Sequence, residues 1–482
     1  MDYLLGVDIG TTSVKAIAFS ESGEFIIKHS RGYEMQHPKP GYSELNAEEI
    51  LDDVIECINN IIESLAPGKP LLISFSAMVH SLIAMDENGN PFTNCIIWAD
   101  NRASQIALDL CTSDNGRKFY QATGVPIHAM SPLCKLIWLK ENEPSIYNSA
   151  YKFIGIKEFI FHKICDEYIV DSSVASSTGL LNIKTLEWDE DILGFLGLGS
   201  SSLSKVVSPK HIIKYEGRDN KSLLIPEGTM IIIGGSDGTL SNLGTGSADG
   251  NSITVTIGTS AAARIVTNHV ETDNMMRTFC YHLKDNLYVI GGAGNNGAIV
   301  LEWLQDKLLE TTESLPELFT RAEKIEPGCD GLLFLPYILG ERAPIWNSNA
   351  RGVFFGLDIN HTKSHLVRAC MEGVIFGIYS IVKVLLEKRI ISVIHATGGF
   401  AQSDLWVQML SDVCKIKVLV SANIESSALG AVMVGMEALG QKPFNAIETL
   451  SSYEPDVLTH DIYMKSYNKF ERIYESVKAE WD

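Results

Sequence analysis

The sequence predicts an α/β protein built from two similar halves that face each other across a cleft. Apolar residues make up 45% of the 482 positions and charged residues 20%, which is the composition of a globular protein. This length exceeds one ordinary hydrophobic core and suits two large domains. The order of strands and glycine turns at the start of the chain also returns near residue 250, as expected for a repeated unit.

The first half begins with strands joined by short turns, followed by a long helix. Asn46 is a typical N-cap for the amphipathic helix predicted at residues 47–65, which Pro67 and Gly68 end. Residues 86–215 carry less regular signals and are expected to decorate this half. Strands are predicted at residues 3–9, 14–19, 24–33 and 71–77.

The second half repeats this pattern. A Gly-Thr-Ser turn at 258–260 lies between strands predicted at 251–257 and 261–266, as a Gly-Thr-Thr-Ser turn does in the first half. The stretch 244–250 is rich in Gly, Ser and Asp and reads as a linker, so we predict domains at residues 1–246 and 247–482. Further strands are predicted at 281–283, 287–290, 393–396 and 417–420, with helices at 363–387, 403–414 and 428–439.

Charge and cysteine usage exclude several classes of partner and site. Lys and Arg number 39 against 59 Asp and Glu, and the formal net charge of −20 disfavours nucleic acid and anionic membrane. The N-terminus lacks a basic signal-peptide region, and the apolar run 373–382 is half of what a bilayer requires. The nine cysteines show no CxxC pair or zinc spacing, which is typical of reduced thiols in a cytoplasmic protein.

The octapeptide at residues 8–15 ends one predicted strand and starts the next. Gly10 permits a tight turn, so consecutive N–H groups and three hydroxyls can point at one anion. Asp8 can hold Mg²⁺ through water. An ordinary polar hairpin explains the octapeptide alone equally well. The matching turn at 258–260 favours phosphate, because two hydroxyl-rich glycine turns at equivalent places suit a polyphosphate clamped between the halves.

Asp237 lies in the sequence Gly-Gly-Ser-Asp-Gly, directly after the apolar strand predicted at 230–233. Its small neighbours leave the carboxylate open to a cleft. That placement suits a general base for an alcohol in phosphoryl transfer. In isolation, a plain turn aspartate is the commoner explanation.

Two further glycine turns predict contacts with a nucleotide. The turn at 397–400 follows a strand and permits close approach of a flat ligand such as adenine, although ordinary βα loops look alike. Residues 292–297 spell GxGxxG, but the preceding strand belongs to a hairpin, so we reject a dinucleotide site and favour a turn near the nucleotide. The sequence contains neither a P-loop nor the HRD and DFG motifs of protein kinases.

A cluster after two other strands predicts a pocket for a polyhydroxylated substrate. The aromatic face of Trp98 can pack on sugar C–H groups, while His80, Asp100 and Arg102 can order the hydroxyls. A single His or Arg in such a loop more often supports the loop itself, so the group is a stronger prediction than any member.

Together these motifs resemble the FGGY carbohydrate kinases, and the resemblance covers essentially the whole chain. It implies two actin-like (ribonuclease H-like) ATPase domains with ATP in the cleft, Asp237 as the base, and Mg²⁺ held by Asp8 and Asp237. The matching motifs are Asp8-Ile-Gly-Thr-Thr-Ser13, Trp98-Ala-Asp-Asn-Arg102, the stretch 130–142, Gly235-Ser-Asp237, Gly258-Thr-Ser260, the stretches 352–356 and 365–372, Thr397-Gly-Gly-Phe-Ala-Gln-Ser403 and Ala428-Leu-Gly-Ala431.

The resemblance also implies two sets of binding residues. Sugar-binding positions are Met78, His80, Trp98, Asp100, Arg102, Met130 and Asp237. ATP-binding positions are Gly10, Thr11, Thr12, Ser13, Lys15, Gly258, Thr259, Ser260, Gly297, Gly398, Gly399 and Ser403.

Within the family, residues 78–86 and 97–102 look most like the gluconate kinases, and Val79 and Ser81 depart from the pattern usual in xylulose kinases. The resemblance therefore implies ATP-dependent phosphorylation of the terminal hydroxyl of gluconate. Arg102, or Asn295 with Asn296, are candidates to bind its carboxylate. The alternatives are another pentulose or polyol kinase and, from a different class, an actin-like or chaperone-like ATPase binding module. Homodimers are common in the family.

Overall fold

The computed structural model of the chain describes residues 1–217, 222–421, 425–444 and 449–481. It divides into two compact units. Unit 1 comprises Met1–Gly246, Thr267–Val289 and Glu425–Ala446, and unit 2 comprises Ser247–Val266, Ile290–Ile424 and Ile447–Asp482.

The elements are numbered along the chain. The strands are β1 (Tyr3–Ile9), β2 (Ser13–Phe19), β3 (Phe25–Gly32), β4 (Glu44–Leu45), β5 (Pro70–Ala77), β6 (Ile83–Met85), β7 (Cys95–Ile96), β8 (Lys152–Ile154), β9 (Ile169–Asp171), β10 (Leu181–Asn182), β11 (Glu187–Trp188), β12 (Lys205–Val207), β13 (Ile212–Lys214), β14 (Met230–Ser236), β15 (Ser252–Ile257), β16 (Ala261–Thr267), β17 (Phe279–Lys284), β18 (Leu287–Gly294), β19 (Leu333–Leu335), β20 (Val353–Phe355), β21 (Val393–Thr397), β22 (Lys417–Ser421) and β23 (Thr449–Tyr453). The helices are α1 (Ala47–Ser64), α2 (Ser104–Cys111), α3 (Asp114–Thr123), α4 (Pro132–Asn142), α5 (Pro144–Ser149), α6 (Ile156–Cys165), α7 (Ser172–Ala175), α8 (Glu190–Leu196), α9 (Asp237–Gly244), α10 (Ile299–Trp303), α11 (Leu315–Ala322), α12 (Lys363–Leu386), α13 (Asp404–Cys414), α14 (Ser426–Ala438) and α15 (Val457–Val477).

The two large sheets share one topology. The first has the order β13–β14–β5–β1–β2–β3, and the second has the order β23–β22–β21–β15–β16–β18 with β17 added as the hairpin partner of β18. In each sheet the first strand of the half is antiparallel to the second and parallel to the third: β1 pairs with β2 and β5, and β15 pairs with β16 and β21. The repeated order of strands and turns in the sequence therefore corresponds to two sheets with equivalent strand pairing.

Each strand and helix predicted from the sequence has a counterpart here, with bounds that differ by a few residues, whereas many of the short elements were not predicted. Asn46 caps α1 as predicted, because its side chain accepts hydrogen bonds from the N–H groups of Glu48 and Glu49. The apolar face of α1 packs on the first sheet in the main core of unit 1. The irregular stretch 86–215 contains several short helices with a separate apolar core, which includes Leu136 and Phe153.

The compact units depart from the predicted linear division at residues 246 and 247. Helix α14 lies in unit 1, because small residues allow it to approach β1 and α9 closely: a Cβ at Gly6 would lie 2.6 Å from the Ala428 carbonyl oxygen, and one at Gly244 would lie 1.9 Å from that of Ser426. Strand β17 also lies in unit 1, where Cys280 N donates to the Gly124 carbonyl.

Within the part of the chain that the structure describes, one helix, α12, is long and apolar enough to cross a membrane by length and composition. However, 67% of the most apolar 18-residue stretch of this helix is buried inside the protein. The core helix of a globular domain satisfies the same test, so this helix is weak evidence for a membrane span.

Candidate active site

The carboxyl ends of the parallel strands β1, β5 and β14 meet at one edge of the first sheet. Asp8 lies opposite Ser76 in one ladder, and Ser76 lies opposite Gly235 in the next. Ser76 Oγ donates a hydrogen bond to Asp8 Oδ1 over 2.7 Å. This register brings Asp237, the first residue after β14, close enough to Asp8 for the two carboxylates to interact electrostatically.

The electrostatics of this pair fit a divalent cation. Burial, and secondly the Asp237 carboxylate, raise the pKa of Asp8 to about 6. Mg²⁺ takes one or two carboxylates together with water and substrate phosphates, so two adjacent aspartates are a suitable donor set. Among the residues that the structure describes, no cluster of three or more His, Cys, Asp or Glu side chains forms a protein-only metal cage.

Asp237 is fixed at a strand-to-helix turn. Ser236 is the N-cap of α9, and its Oγ accepts a hydrogen bond from Thr239 N over 3.3 Å. Gly238 N donates to Asp237 Oδ1 over 2.6 Å. Gly234 makes the preceding corner with φ +67°, where a Cβ would lie 1.9 Å from the Phe75 carbonyl oxygen. The carboxylate therefore lies at a helix N-terminus, where negative charge is favoured.

Residues 10–13, named the first turn, join β1 to β2 beside this pair. Trp98 Nε1 donates to Thr11 Oγ1 over 2.8 Å. The Tyr33 hydroxyl donates to the Gly10 carbonyl oxygen. A predicted sugar contact and a predicted phosphate contact are thus joined directly by a hydrogen bond.

The other predicted sugar-binding residues lie on loops of unit 1. Met78 and Met130 are both only 2% exposed. His80 is buried in a left-handed backbone conformation with φ 66°, and its Nε2 lies 3.3 Å from the Tyr281 hydroxyl. Tyr281 comes from β17, in the second half of the sequence, so only the tertiary structure places it here.

Arg102 is held by its own loop. Its guanidinium donates to both carboxylate oxygens of Asp100 and to Glu44, and it lies 3.9 Å from the centre of the Tyr42 ring. Asp100 is fully buried and also accepts from Ser43 N over 2.7 Å. Two carboxylates neutralise this cation, so the geometry favours the loop-supporting role over recognition of a substrate carboxylate.

Three predicted positions have partners that limit them. Lys15 pairs with Glu425 at 2.9 Å, so a phosphate contact by Lys15 would compete with this carboxylate. Asn295 and Asn296 donate to the carbonyl oxygens of Leu339 and Gly340 and thereby hold a loop of unit 2.

In unit 2, residues 258–260, named the second turn, join β15 to β16. Gly297 N donates to the Thr259 carbonyl oxygen over 3.1 Å, and Ala298 N donates to that of Gly258 over 2.7 Å. A Cβ at Gly297 would lie 2.5 Å from the carbonyl oxygens of both Gly258 and Ser260. The predicted GxGxxG segment therefore ends directly on the second turn.

The turn after β21 lies beside the same strand end. Gly398 has φ +97°, and a Cβ there would lie 2.5 Å from the Ile257 carbonyl oxygen. Gly399 has open space where a Cβ would be, and Ser403 caps α13 by accepting from Trp406 N. The unit 2 glycines predicted to contact the nucleotide thus lie at or beside the carboxyl ends of β15 and β21, the edge where α/β sheets bind ligands.

Comparison with known proteins identifies this architecture. Residues 3–244 match the N-terminal domain of the FGGY family of carbohydrate kinases, and residues 253–439 match the C-terminal domain. The chain belongs to this family. Membership confirms the predicted sugar-kinase class, the two-domain actin-like fold and ATP as a substrate of this family.

Curated relatives of this FGGY kinase include enzymes of more than one substrate class. The chain is 45% identical over 451 residues to gluconokinase of Bacillus licheniformis, covering 91% of this chain and 88% of that protein. It is 43% identical over 461 residues to gluconokinase of Bacillus subtilis, covering 93% and 90%. It is 29% identical over 485 residues to xylulose kinase of Staphylococcus xylosus, covering 99% and 100%.

Solved structures confirm the fold along the whole FGGY chain. A ligand-bound xylulose kinase from Lactobacillus acidophilus matches with a TM-score of 0.95 at 33% identity, covering 100% of this chain and 99% of that one. A gluconate kinase from the same organism matches with a TM-score of 0.94, at the same identity and coverage. Backbone similarity therefore does not separate the two substrates.

Proposed function

We propose that this chain phosphorylates the terminal hydroxyl of gluconate with ATP, giving 6-phosphogluconate and ADP. The observation that carries the substrate is the contrast in identity, 45% to a gluconokinase against 29% to a xylulose kinase. The gluconokinase-like sequences at residues 78–86 and 97–102 agree with it, because both segments lie on the loops that carry the predicted sugar contacts.

The proposed reaction uses the residues around the end of β14. Asp237 accepts the proton of the sugar hydroxyl as its oxygen attacks the γ-phosphorus, and the bond to the β–γ bridging oxygen breaks to release ADP. Backbone N–H groups and hydroxyls of the first turn, with Thr11 and Thr12, stabilise charge on the transferred group. Mg²⁺, held through water by Asp8 and Asp237, would supply neutralising charge to the phosphates.

One specific observation, the pairing of Arg102 with two carboxylates, favours a second candidate, a xylulose kinase. The fold is compatible with either substrate, since the ligand-bound xylulose kinase structure matches as well as the gluconate kinase structure does. Because Asp100 and Glu44 already neutralise Arg102, the gluconate carboxylate would lack the arginine predicted to bind it. The predicted cytoplasmic location and homodimer belong to this proposal as further expectations.

A coupled ADP-release assay of wild type and Asp237→Asn across gluconate, D-xylulose and glycerol tests the proposal. Wild type is expected to turn over gluconate with the highest kcat/KM. The variant should bind substrates yet lose roughly 10²–10⁴ in kcat, because it lacks the base. Preference for D-xylulose would establish the second candidate, and sugar-independent ADP release would indicate an ATPase module. Near-normal turnover by the variant would remove Asp237 from the mechanism.

A further inference from the structure

Two lysines of unit 1 are buried almost completely, and neither belongs to the predicted site. Lys135 is 0% exposed and Lys157 is 2% exposed. Burial lowers the pKa of Lys135 to about 7 and also lowers that of Lys157, while Asp100 and Asp171 respectively oppose the shift. An apolar side chain of similar volume would avoid this desolvation penalty, so each ammonium needs an explanation beyond packing.

Lys135, on α4, bonds to two loops at once. Its Nζ donates to the carbonyl oxygens of His80 over 2.5 Å, Ile97 over 2.8 Å and Ile96 over 3.3 Å. The first carbonyl belongs to a predicted sugar contact in a left-handed conformation, and the second directly precedes Trp98. One ammonium therefore fixes the spacing of both sugar loops, and it does so through main-chain atoms.

Lys157, on α6, bonds to the corner that carries the candidate base. Its Nζ donates to Asp171 Oδ2 over 2.7 Å and to the Gly235 carbonyl oxygen over 3.1 Å. Asp171 is the N-cap of α7. Within α7, Ser173 Oγ accepts a hydrogen bond from Ser236 N over 3.1 Å. Both residues that precede Asp237 are thus anchored to this buried cluster.

We propose that Lys135 and Lys157 are positioning residues with separate tasks, Lys135 for the sugar loops and Lys157 for the catalytic base. The inference rests on the proposed function, since His80, Trp98 and Asp237 acquire their roles there. Loss of Lys135 releases the groups that bind sugar, which raises KM. Loss of Lys157 releases the base and leaves the sugar loops in place, which lowers kcat.

The test is steady-state kinetics of Lys135→Met and Lys157→Met, each serving as the control for the other. Both substitutions remove an ammonium of equal burial and keep a long unbranched side chain. Lys135→Met is expected to raise the sugar KM roughly tenfold or more with kcat within about threefold. Lys157→Met is expected to lower kcat roughly 10- to 100-fold with the sugar KM within about threefold. Nucleotide affinity, measured by calorimetry, should be unchanged in both.

The kinetic split is measured with whichever sugar wild type turns over most efficiently, so a wrong substrate assignment does not affect it. Should either methionine variant fail to fold, Lys135→Gln and Lys157→Gln replace them, and the amide donors are expected to restore part of each defect. A common defect in kcat and KM for both lysines, or a split in the opposite sense, would overturn the proposal and leave both lysines as general supports of the fold.

Discussion

The first and second turns occupy equivalent places in their sheets but are fixed by different kinds of contact. The first turn is held by a main-chain hydrogen bond, from Tyr33 N to the Thr12 carbonyl oxygen, and by two side chains, since the Trp98 indole donates to Thr11 and the Tyr33 phenol donates to Gly10. The second turn is held by the main chain, through hydrogen bonds from the N–H groups of Gly297 and Ala298. One turn design thus tolerates two modes of support, with different sensitivities to substitution.

The residue that precedes each turn by two positions differs as well. Asp8 occupies this position in β1, and Thr256 occupies it in β15; each lies one pair before the last rung of its hairpin. Asp8 accepts from Ser76, whereas Thr256 Oγ1 has no hydrogen-bond partner among the described residues. Ionisable chemistry therefore belongs to the first turn, and the second offers neutral donors.

The largest effect is expected for Gly297→Ala. The new Cβ would lie 2.5 Å from two backbone carbonyl oxygens, which cannot move without distorting the second turn. We expect kcat/KM for ATP to fall roughly 100-fold or more, because misplacement by about 1 Å has effects of this size. Gly194→Ala is the matched control, since a Cβ there meets nothing within 4 Å. A near-normal KM for ATP in Gly297→Ala would contradict a nucleotide role for the second turn.

The next effect is the pH dependence of stability, which distinguishes Asp8 from Thr256. Because the pKa of Asp8 rises from 3.8 to about 6 on folding, its stabilisation is complete below about pH 4 and is lost as the pH rises through about 6. In metal-free protein, Asp8→Asn should match wild type near pH 4 and be more stable by roughly 3 kcal/mol at pH 8. Urea unfolding with a chelator present measures this difference.

Thr256→Val provides the comparison for that experiment. Threonine does not titrate, so any stability change in this variant should be the same at pH 4 and pH 8. A pH-independent difference for Asp8→Asn as well would show that the Asp8 carboxyl has an ordinary pKa in the folded protein.

Features that depend on residues close together in the sequence could be predicted, whereas features that depend on residues far apart could not. Asn46 and the two turns were predictable, because a cap and a tight turn depend on residues within a few positions. The place of α14 in unit 1 was not predictable, since it depends on Gly6 and Gly244, far away along the chain. The same holds for Arg102, whose partner Glu44 lies 58 residues earlier. Local patterns indicate which groups a loop carries, but the folded chain decides which of them are already paired.

The smallest effect is expected for Trp98→Phe, which tests the side-chain support of the first turn. A smaller aromatic ring replaces the indole and the hydrogen bond to Thr11 Oγ1 is lost; one neutral hydrogen bond is worth about 1 kcal/mol, or roughly fivefold in kcat/KM. Trp188→Phe is the control, because it removes an equivalent indole bond, from β11 to the Ser204 carbonyl oxygen over 2.9 Å, away from the first turn. Equal losses in both variants would mean that the effect is general destabilisation. A loss confined to Trp98→Phe would mean that Trp98, a predicted sugar contact, also sets the geometry of the first turn through Thr11. The second turn is held by main-chain hydrogen bonds from Gly297 and Ala298, so a change of side chain in the sugar-binding loops should affect the first turn more.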